Sequence, residues 1–354
     1  MAYKYTHFIP QNTAPVGAKC IGVYDSNGNK VCAIPLGFLT PVTDGKLYSF
    51  GLVSDMHLYK SSVAWNPDTK FDNALTYFER KGCVLCAHCG DMTQTGLFNE
   101  GDTVNMDVAQ MAKYKQVCDK HTISVYGICG NHESYVVPIE NNLSELKAYT
   151  KTDLYYTVSQ GNDLFIFIGQ PQGTIPMTDE ALQWLYNTLE ANRNKRCFIF
   201  VHPHISSGNA LGAYAVNDFF GAWGTKTTAF KNLLSHYKNT ILFHGHSHIK
   251  FECQEVDKEA NYSEKDGFKS VHISSLGRPR DITNGTLNSY INTDSEGYIV
   301  DVYDDCIVLN GLDFINNGAD VHVLPIATYK IDTTLQTIEA NTFNDNTGTI
   351  TTEP

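Results

Sequence analysis

The chain has 354 residues, 42% hydrophobic and only 18% charged, and 26 Lys and Arg against 38 Asp and Glu give a formal net charge of −12. That length and composition suit a folded protein able to bury a full core, and they exclude a disordered or fibrous chain. The acidic balance counts against a general nucleic-acid binder, which needs a net basic face, while leaving a local basic groove open.

In chain order, the first residues carry no apolar core of signal-peptide length, and the apolar runs further on have strand rather than spanning length. Two β-prone runs, 20–24 and 30–34, flank Ser26-Asn27-Gly28-Asn29 and predict a hairpin extension over residues 1–45. From residue 46 to 250, short runs rich in Val, Ile, Phe and Cys alternate with amphipathic stretches. The runs are 47–54, 83–89, 123–129, 164–169, 197–201 and 240–244, and they read as interior strands covered on both faces. Helices are predicted around Phe71, Ala74, Leu75 and Phe78 with Gly82 as the stop, around Val104, Val108 and Met111, from Thr178 through Leu182, Leu185 and Leu189, and over 227–237. Alternating strands and helices imply an α/β layered core. Beyond residue 250 further strands follow at 270–274, 297–303, 306–309 and 321–324, and the last thirty or so residues form a Thr- and Asn-rich extension. The expected organisation is a hairpin extension (1–45), a main domain (46–325) and a β-rich C-terminal extension (326–354).

Ten cysteines are scattered through apolar segments, which suits buried thiols in a reducing, cytoplasmic compartment. Cys83-x2-Cys86-x2-Cys89 has a metal-like spacing, but on a strand Cys83 and Cys89 face one side and Cys86 the other, so the three cannot converge on one ion.

The informative feature is what ends each strand. The runs terminate in Asp55-Met56-His57, Gly90-Asp91, Gly130-Asn131-His132-Glu133, His202-Pro203-His204 and Gly245-His246-Ser247-His248. In open α/β sheets the C-terminal strand edge is where ligands bind. Alternation places Asp55 with His57, and His246 with His248, each pair on one side and able to hold one ion together. Seven such side chains suffice for two divalent ions. Their oxygen and imidazole donors suit Mn, Fe, Zn, Ni or Co, with manganese first among them. Gly90, Gly130 and Gly245 would let the backbone turn tightly before each ligand.

In order and spacing these blocks resemble the five motif blocks of calcineurin-like metallophosphoesterases, over about residues 46–310. The resemblance implies a four-layer α/β/β/α sandwich. It assigns Asp55, His57 and His248 to a first metal, Asn131, His202 and His246 to a second, Asp91 as the bridge and His132 as the catalytic histidine. It also implies phosphoester hydrolysis by a bridging hydroxide on small phosphodiesters or phosphomonoesters. Many relatives carry an Asp three residues after the bridging Asp to orient the catalytic histidine, whereas this chain has Gln94. Purple acid phosphatases lack the first-block histidine and have a Tyr after the second Asp; His57 and Met92 set this chain apart from that branch. His204, Arg278 and Arg280 are further substrate-binding candidates. His244 reads as a packing or supporting residue beside the ligands, and His88, His121, His236, His272 and His322 have no supporting context. The competing readings are a DNA nuclease of the repair-exonuclease type, disfavoured by the charge, a metal-dependent binding scaffold, which would not need His132, and a virion or homo-oligomeric assembly protein that uses the fold as a module. No membrane partner is expected.

Overall fold

In the computed structural model the described residues are 20–24, 30–35, 45–59, 61–94, 108–134, 143–150, 152–173, 175, 177–205, 226–256, 261–264, 267–283, 286–316, 320–344 and 348–352. The chain divides into two compact units, 1–44 and 45–354. In the first, β1 (Cys20–Tyr24) and β2 (Lys30–Pro35) pair antiparallel with an irregularity at Val23/Tyr24. The predicted turn 26–29 lies outside the described residues, as does Val104 of the second predicted helix.

The second unit begins with β3 (Tyr48–Val53), α1 (Pro67–Arg80), β4 (Leu85–His88), α2 (Val108–Cys118), β5 (Ser124–Gly127), α3 (Leu143–Thr150), β6 (Tyr155–Gln160) and β7 (Asp163–Ile168). It continues through α4 (Asp179–Ala191), β8 (Cys197–Phe200), α5 (Lys226–His236), β9 (Thr240–His244), β10 (Tyr262–Ser263), β11 (Lys269–His272), β12 (Arg280–Thr283) and β13 (Thr286–Tyr290). It closes with β14 (Glu296–Val302), β15 (Cys306–Asn316), β16 (Asp320–Asp332), β17 (Asn341–Asn344) and β18 (Thr349–Thr352). Two six-stranded sheets form the centre, in the orders β16-β15-β14-β3-β4-β5 and β10-β11-β9-β8-β7-β6. Within them β3, β4 and β5 run parallel, as do β7, β8, β9 and β11.

Side-chain alternation sorts the core into layers. Along β7 and β8, Leu164, Ile166, Ile168, Cys197 and Ile199 pack with Leu182, Leu185 and Leu189 of α4 and Phe230, Leu233 and Leu234 of α5. The intervening Phe165, Phe167, Phe198 and Phe200 meet Phe50 and Leu52 of β3, joining the two sheets. Phe200 stacks between Phe167 (ring centroids 4.7 Å) and Phe243 (5.2 Å). The far face of the first sheet packs on α1 and α2 through Val53, Phe71, Phe78, Cys86 and Met111. Helices, sheet, sheet and helices are thus layered in that order. Gly51 permits the first contact: a Cβ there would sit 2.3 Å from the Phe78 ring.

The helix signals correspond to real caps. The Thr178 hydroxyl accepts from Ala181 N at 3.1 Å, and Gly82 follows α1 in the left-handed region with its N–H bonded to Glu79 O. Several expectations need correction. β5 is an edge strand with half-buried residues, not an interior one, because among the described residues no strand pairs beyond it in its sheet. Cys83 lies on the same side as Cys86, since the strand begins only at Leu85; Cys89 faces the other core. Cys83, Cys86, Cys89, Cys118, Cys129, Cys197, Cys253 and Cys306 are all free thiols. The boundary expected at residue 325 falls inside β16, and the Thr/Asn-rich end is no detached extension. Ile338, Phe343 and Ile350 pack against the α4/α5 core, and Tyr186 donates to Asn341 O. No helix among the described residues is long and apolar enough to cross a membrane.

Candidate metal centre

The polar turns converge, but from both sheets rather than from one sheet edge. Asp55, Asp91 and Asn131 follow β3, β4 and β5 of the first sheet; His202 and His246 follow β8 and β9 of the second. Backbone bonds sew the turns together: Asp55 N donates to Gly90 O, Met56 N and His57 N to Asp91 O, and Gly245 N to His202 O. Strand alternation does not place the ligand pairs. Asp55, His57, Asp91, His246 and His248 all have φ between 51° and 74°, and they make up five of the six non-glycine residues with positive φ among the described residues. Asp and His tolerate that region better than branched or bulky residues, yet it is sparsely populated and is held only where the surroundings over-determine it.

Two groups of donor atoms result, each with its members within 4.8 Å of one another: Asp55, His57, Asp91 and His248, and Asp91, His202 and His246. Asp91 is common to both. His246 and His248 therefore separate into different groups, where simple alternation would keep them together. Asn131 joins the second group through Oδ1, 3.0 Å from His202 Nε2.

The donor atoms of these groups crowd against one another. His57 Nε2 and His248 Nε2 are 2.9 Å apart, and Asp55 Oδ1, which has no hydrogen-bond partner, lies 3.1 Å from His248 Nε2. The His248 ring donates its Nδ1–H to Arg278 O at 3.1 Å, and His202 donates Nδ1–H to Cys89 O at 2.7 Å. Each imidazole is thereby oriented with Nε2 inward. Inward-facing lone pairs around an unpartnered buried carboxylate oxygen fit divalent cations, and the mixed oxygen and imidazole set suits a transition metal.

Charge follows the same logic. Burial pushes the Asp91 carboxyl up, but the His202 and His132 rings outweigh it and hold it down at about 2. Burial likewise opposes ionisation of Asp55, and His248 and His202 overcome it, keeping Asp55 well below the usual carboxylate range. Burial disfavours a charged His202, yet Asp91 at 3.1 Å and Asp55 at 3.9 Å raise it to about 9. Burial, with the other rings, holds His57 and His246 well below the ordinary imidazole value.

The glycines act mainly through space. Of the three, only Gly90 has a positive φ (91°). A Cβ on Gly130 would lie 2.2 Å from Asp91 Oδ1, and one on Gly245 would lie 2.4 Å from Asp55 Oδ2, so both are needed for close approach rather than for a turn.

His132 stands beside the groups without joining them. Its Nε2 is 3.9 Å from Asp91 Oδ2, its backbone N–H donates to Asp91 Oδ1 at 2.9 Å, and its side chain keeps 13% exposure. His204 is buried against the His246 ring (centroids 5.7 Å). Arg278 reaches Gln94 and sits between the Trp65 and Tyr290 rings, while the Arg280 guanidinium lies over Tyr290 at 4.6 Å. His244 and His272 lie behind the 245–248 turn. Within that turn Ser247 Oγ bonds His272 Nε2 at 2.7 Å, and His272 Nδ1 bonds Asn261 Oδ1 at 3.2 Å.

Glu133, Ser54, Trp65 and Tyr290 have no role in the sequence reading. Glu133 is buried and accepts from Asp91 N, Thr93 N, Thr93 Oγ1 and Gly130 N, so one carboxylate ties the second and third turns together. Its position directly after His132 was the available signal. Trp65 and Tyr290 offered none, because only the tertiary fold brings them to Arg278.

The calcineurin-like phosphoesterase family matches residues 48–250, more than half of the chain, and the chain belongs to that family. It is accordingly a metal-dependent phosphoester hydrolase with a dinuclear centre. Among solved structures, the chain resembles a dimetal phosphatase from Danio rerio at 14% identity and a TM-score of 0.55, over 82% of this chain and 100% of that one. It also resembles a purple acid phosphatase from yellow lupin (Lupinus luteus) seeds at 14% identity and a TM-score of 0.54, over 88% of this chain and 59% of that one. At such identity the likeness is one of fold. A search of curated protein sequences finds no match.

Proposed function

We propose that this chain hydrolyses small phosphodiesters or phosphomonoesters, with Asp55, His57 and His248 holding one divalent ion, Asn131, His202 and His246 a second, and Asp91 shared. When bound, two such ions acidify a water and neutralise charge on phosphate oxygens. The chain's own residues do the rest. Asp55 and Asp91 supply fixed negative charge at the centre. The carbonyls of Cys89 and Arg278 orient His202 and His248, and Glu133 locks the turns bearing Asp91 and Asn131. His132, partly exposed at the rim, is placed to donate a hydrogen bond to the departing oxygen.

The observation that carries this reading is the pair of donor groups meeting at Asp91, with Asp55 Oδ1 unpartnered between inward-turned imidazoles. The test is a reconstitution panel with Mn²⁺ on bis(p-nitrophenyl) phosphate, p-nitrophenyl phosphate, cyclic nucleotides and single-stranded DNA. Turnover of the small esters that depends on added metal supports the reading. Two bound ions per chain with no turnover of any ester would overturn it, and cleavage of DNA alone would point to the nuclease.

A further inference from the structure

We propose that Arg278 and Gln94 are positioning residues that hold His132 in its Nε2–H tautomer, and that His132 consequently serves as a neutral hydrogen-bond donor. This rests on the reading of His132 as the group that meets the leaving oxygen. The assignment follows from which atoms can donate. A guanidinium has donors only. Arg278 Nη2 lies 2.7 Å from an oxygen of the Gln94 amide, so the carbonyl must face Arg278 and the amide cannot flip without opposing donor to donor. The amide nitrogen then faces His132 Nδ1 at 3.4 Å. An amide nitrogen donates, so Nδ1 accepts. A neutral imidazole that accepts at Nδ1 carries its proton on Nε2. Nε2 is the atom turned toward the centre, 3.9 Å from Asp91 Oδ2.

The contrast with the neighbouring rings is sharp. His202 and His248 each have Nδ1–H tied to a backbone carbonyl, so their Nε2 atoms are given to cations. His132 has the opposite arrangement and presents an N–H. Arg278 helps set both patterns: its carbonyl fixes His248, and its guanidinium, through Gln94, fixes His132. The guanidinium is itself restrained, 4.5 Å from the Trp65 ring and 4.2 Å from the Tyr290 ring, while Trp65 Nε1 donates to His57 O at 3.2 Å. A carboxylate at position 94 would instead accept from Nδ1–H. It would leave Nε2 bare unless the ring took up a second proton. With Gln94 and Arg278 the donor is available on the neutral ring.

The test is a two-bond ¹H–¹⁵N correlation spectrum of the full chain labelled with [¹⁵N]histidine and loaded with Zn²⁺, with the His132→Gln variant identifying the His132 signals. The expected pattern has Nδ1 bare and Nε2 protonated. Gln94→Glu, nearly isosteric, is expected to invert it. On bis(p-nitrophenyl) phosphate with Mn²⁺, Gln94→Glu and Arg278→Met are each expected to lower kcat by roughly 10-fold or more, part of the ~10²–10³-fold that one positioned hydrogen-bond donor supplies, with metal content unchanged and, for Gln94→Glu, KM unchanged. An Nδ1–H ring in the unmodified protein, or a pattern unmoved by Gln94→Glu, would overturn the proposal. The spectrum requires no turnover. An Nε2–H ring in a chain that cleaves no ester would therefore count against the phosphoesterase reading while leaving the tautomer assignment standing.

Discussion

Replacing Asp55 by asparagine changes one atom and separates metal binding from folding. Asp55 Oδ2 accepts from Ser54 Oγ at 2.6 Å and from His246 N at 2.9 Å, whereas Oδ1 has no donor and faces His248 Nε2 at 3.1 Å. The His246 amide can only donate, so the carbonyl of the introduced side-chain amide must take the Oδ2 place and its NH2 the Oδ1 place. There the NH2 points at His248 Nε2, an acceptor because that ring's proton is on Nδ1. The His248 and His202 rings hold the Asp55 charge in place against burial, so in the metal-free protein its loss outweighs the about 1–3 kcal/mol that the new hydrogen bond returns. With ions present a second loss is added, because an amide N–H stands where the first cation is held. The affinity lost there should exceed the ~10–100-fold typical of removing a group that merely supports a ligand. Asp91, Asn131, His202 and His246 are untouched, so one ion should remain. Elemental analysis after desalting and thermal melts of chelator-treated protein check both halves: about one ion per chain, and a metal-free melting temperature below that of the unmodified chain. Two retained ions, or a metal-free variant that melts higher, would refute the reasoning.

Asp91→Asn should lose both ions and all turnover, because Asp91 is common to the two groups; full activity in that variant contradicts its shared role. His132→Ala should keep both ions and lose ~10²–10⁴-fold in kcat, and loss of metal by elemental analysis would remove the role given to it. Burial pushes Glu296 up to about 8 against an ordinary 4.5, so the folded chain holds a proton there that the unfolded chain has released. Its contribution is complete below about pH 4.5 and disappears as pH rises through about 8, with a slope approaching 1.4 kcal/mol per pH unit; urea titrations should show a flatter profile for Glu296→Gln, and an unchanged slope refutes the assignment. Arg196 bridges Asp163 with two bonds (3.1 and 2.6 Å) and also donates to Tyr303 O and Thr333 Oγ1, all at the strand edge opposite the ligands. Arg196→Met should cost about 3–5 kcal/mol by leaving the Asp163 charge buried without its cation, with the Tyr48 hydroxyl still donating to it, and metal affinity should be unchanged; a shift in metal affinity would show that the two edges are coupled.

Much of the scaffold is written locally. The spacing of Phe71, Ala74, Leu75 and Phe78 marks the buried face of α1, Thr178 marks the start of α4, and each ligand turn is announced by Asp, Asn or His directly after an apolar run. What depends on distant pairing is less legible. Nothing in the runs 47–54 and 197–201 shows that they belong to different sheets, because both are apolar on both faces and only long-range register separates them. The packing of the tail is hidden for a related reason. Thr and Asn suggest a solvated segment, yet Ile338, Phe343 and Ile350 supply enough apolar surface to cover α4 and α5. Cys83 shares a side with Cys86 because the strand, and with it the alternation, begins only at Leu85.

The ligand geometry itself was out of reach of a period-two argument. Left-handed backbone at Asp55, His57, Asp91, His246 and His248 is not a strand continuing past its end, and each such residue carries roughly 1–3 kcal/mol of strain. Something must hold it. The Asp91 carbonyl accepts from both Met56 N and His57 N, Ser275 Oγ and Gly277 N bind the Asp55 carbonyl, and Glu133 gathers Asp91 N with Gly130 N. Apart from the local bond between Gly130 N and Glu133, each of these braces joins segments far apart in sequence. The strain therefore exists only once both sheets are assembled, and an unfolded chain has no reason to gather the same seven donors. For that reason the metal centre is a product of the complete sandwich rather than of any motif within it. Substitutions at Glu133 or Ser275, which touch no donor atom, should accordingly weaken metal binding more than their burial alone suggests.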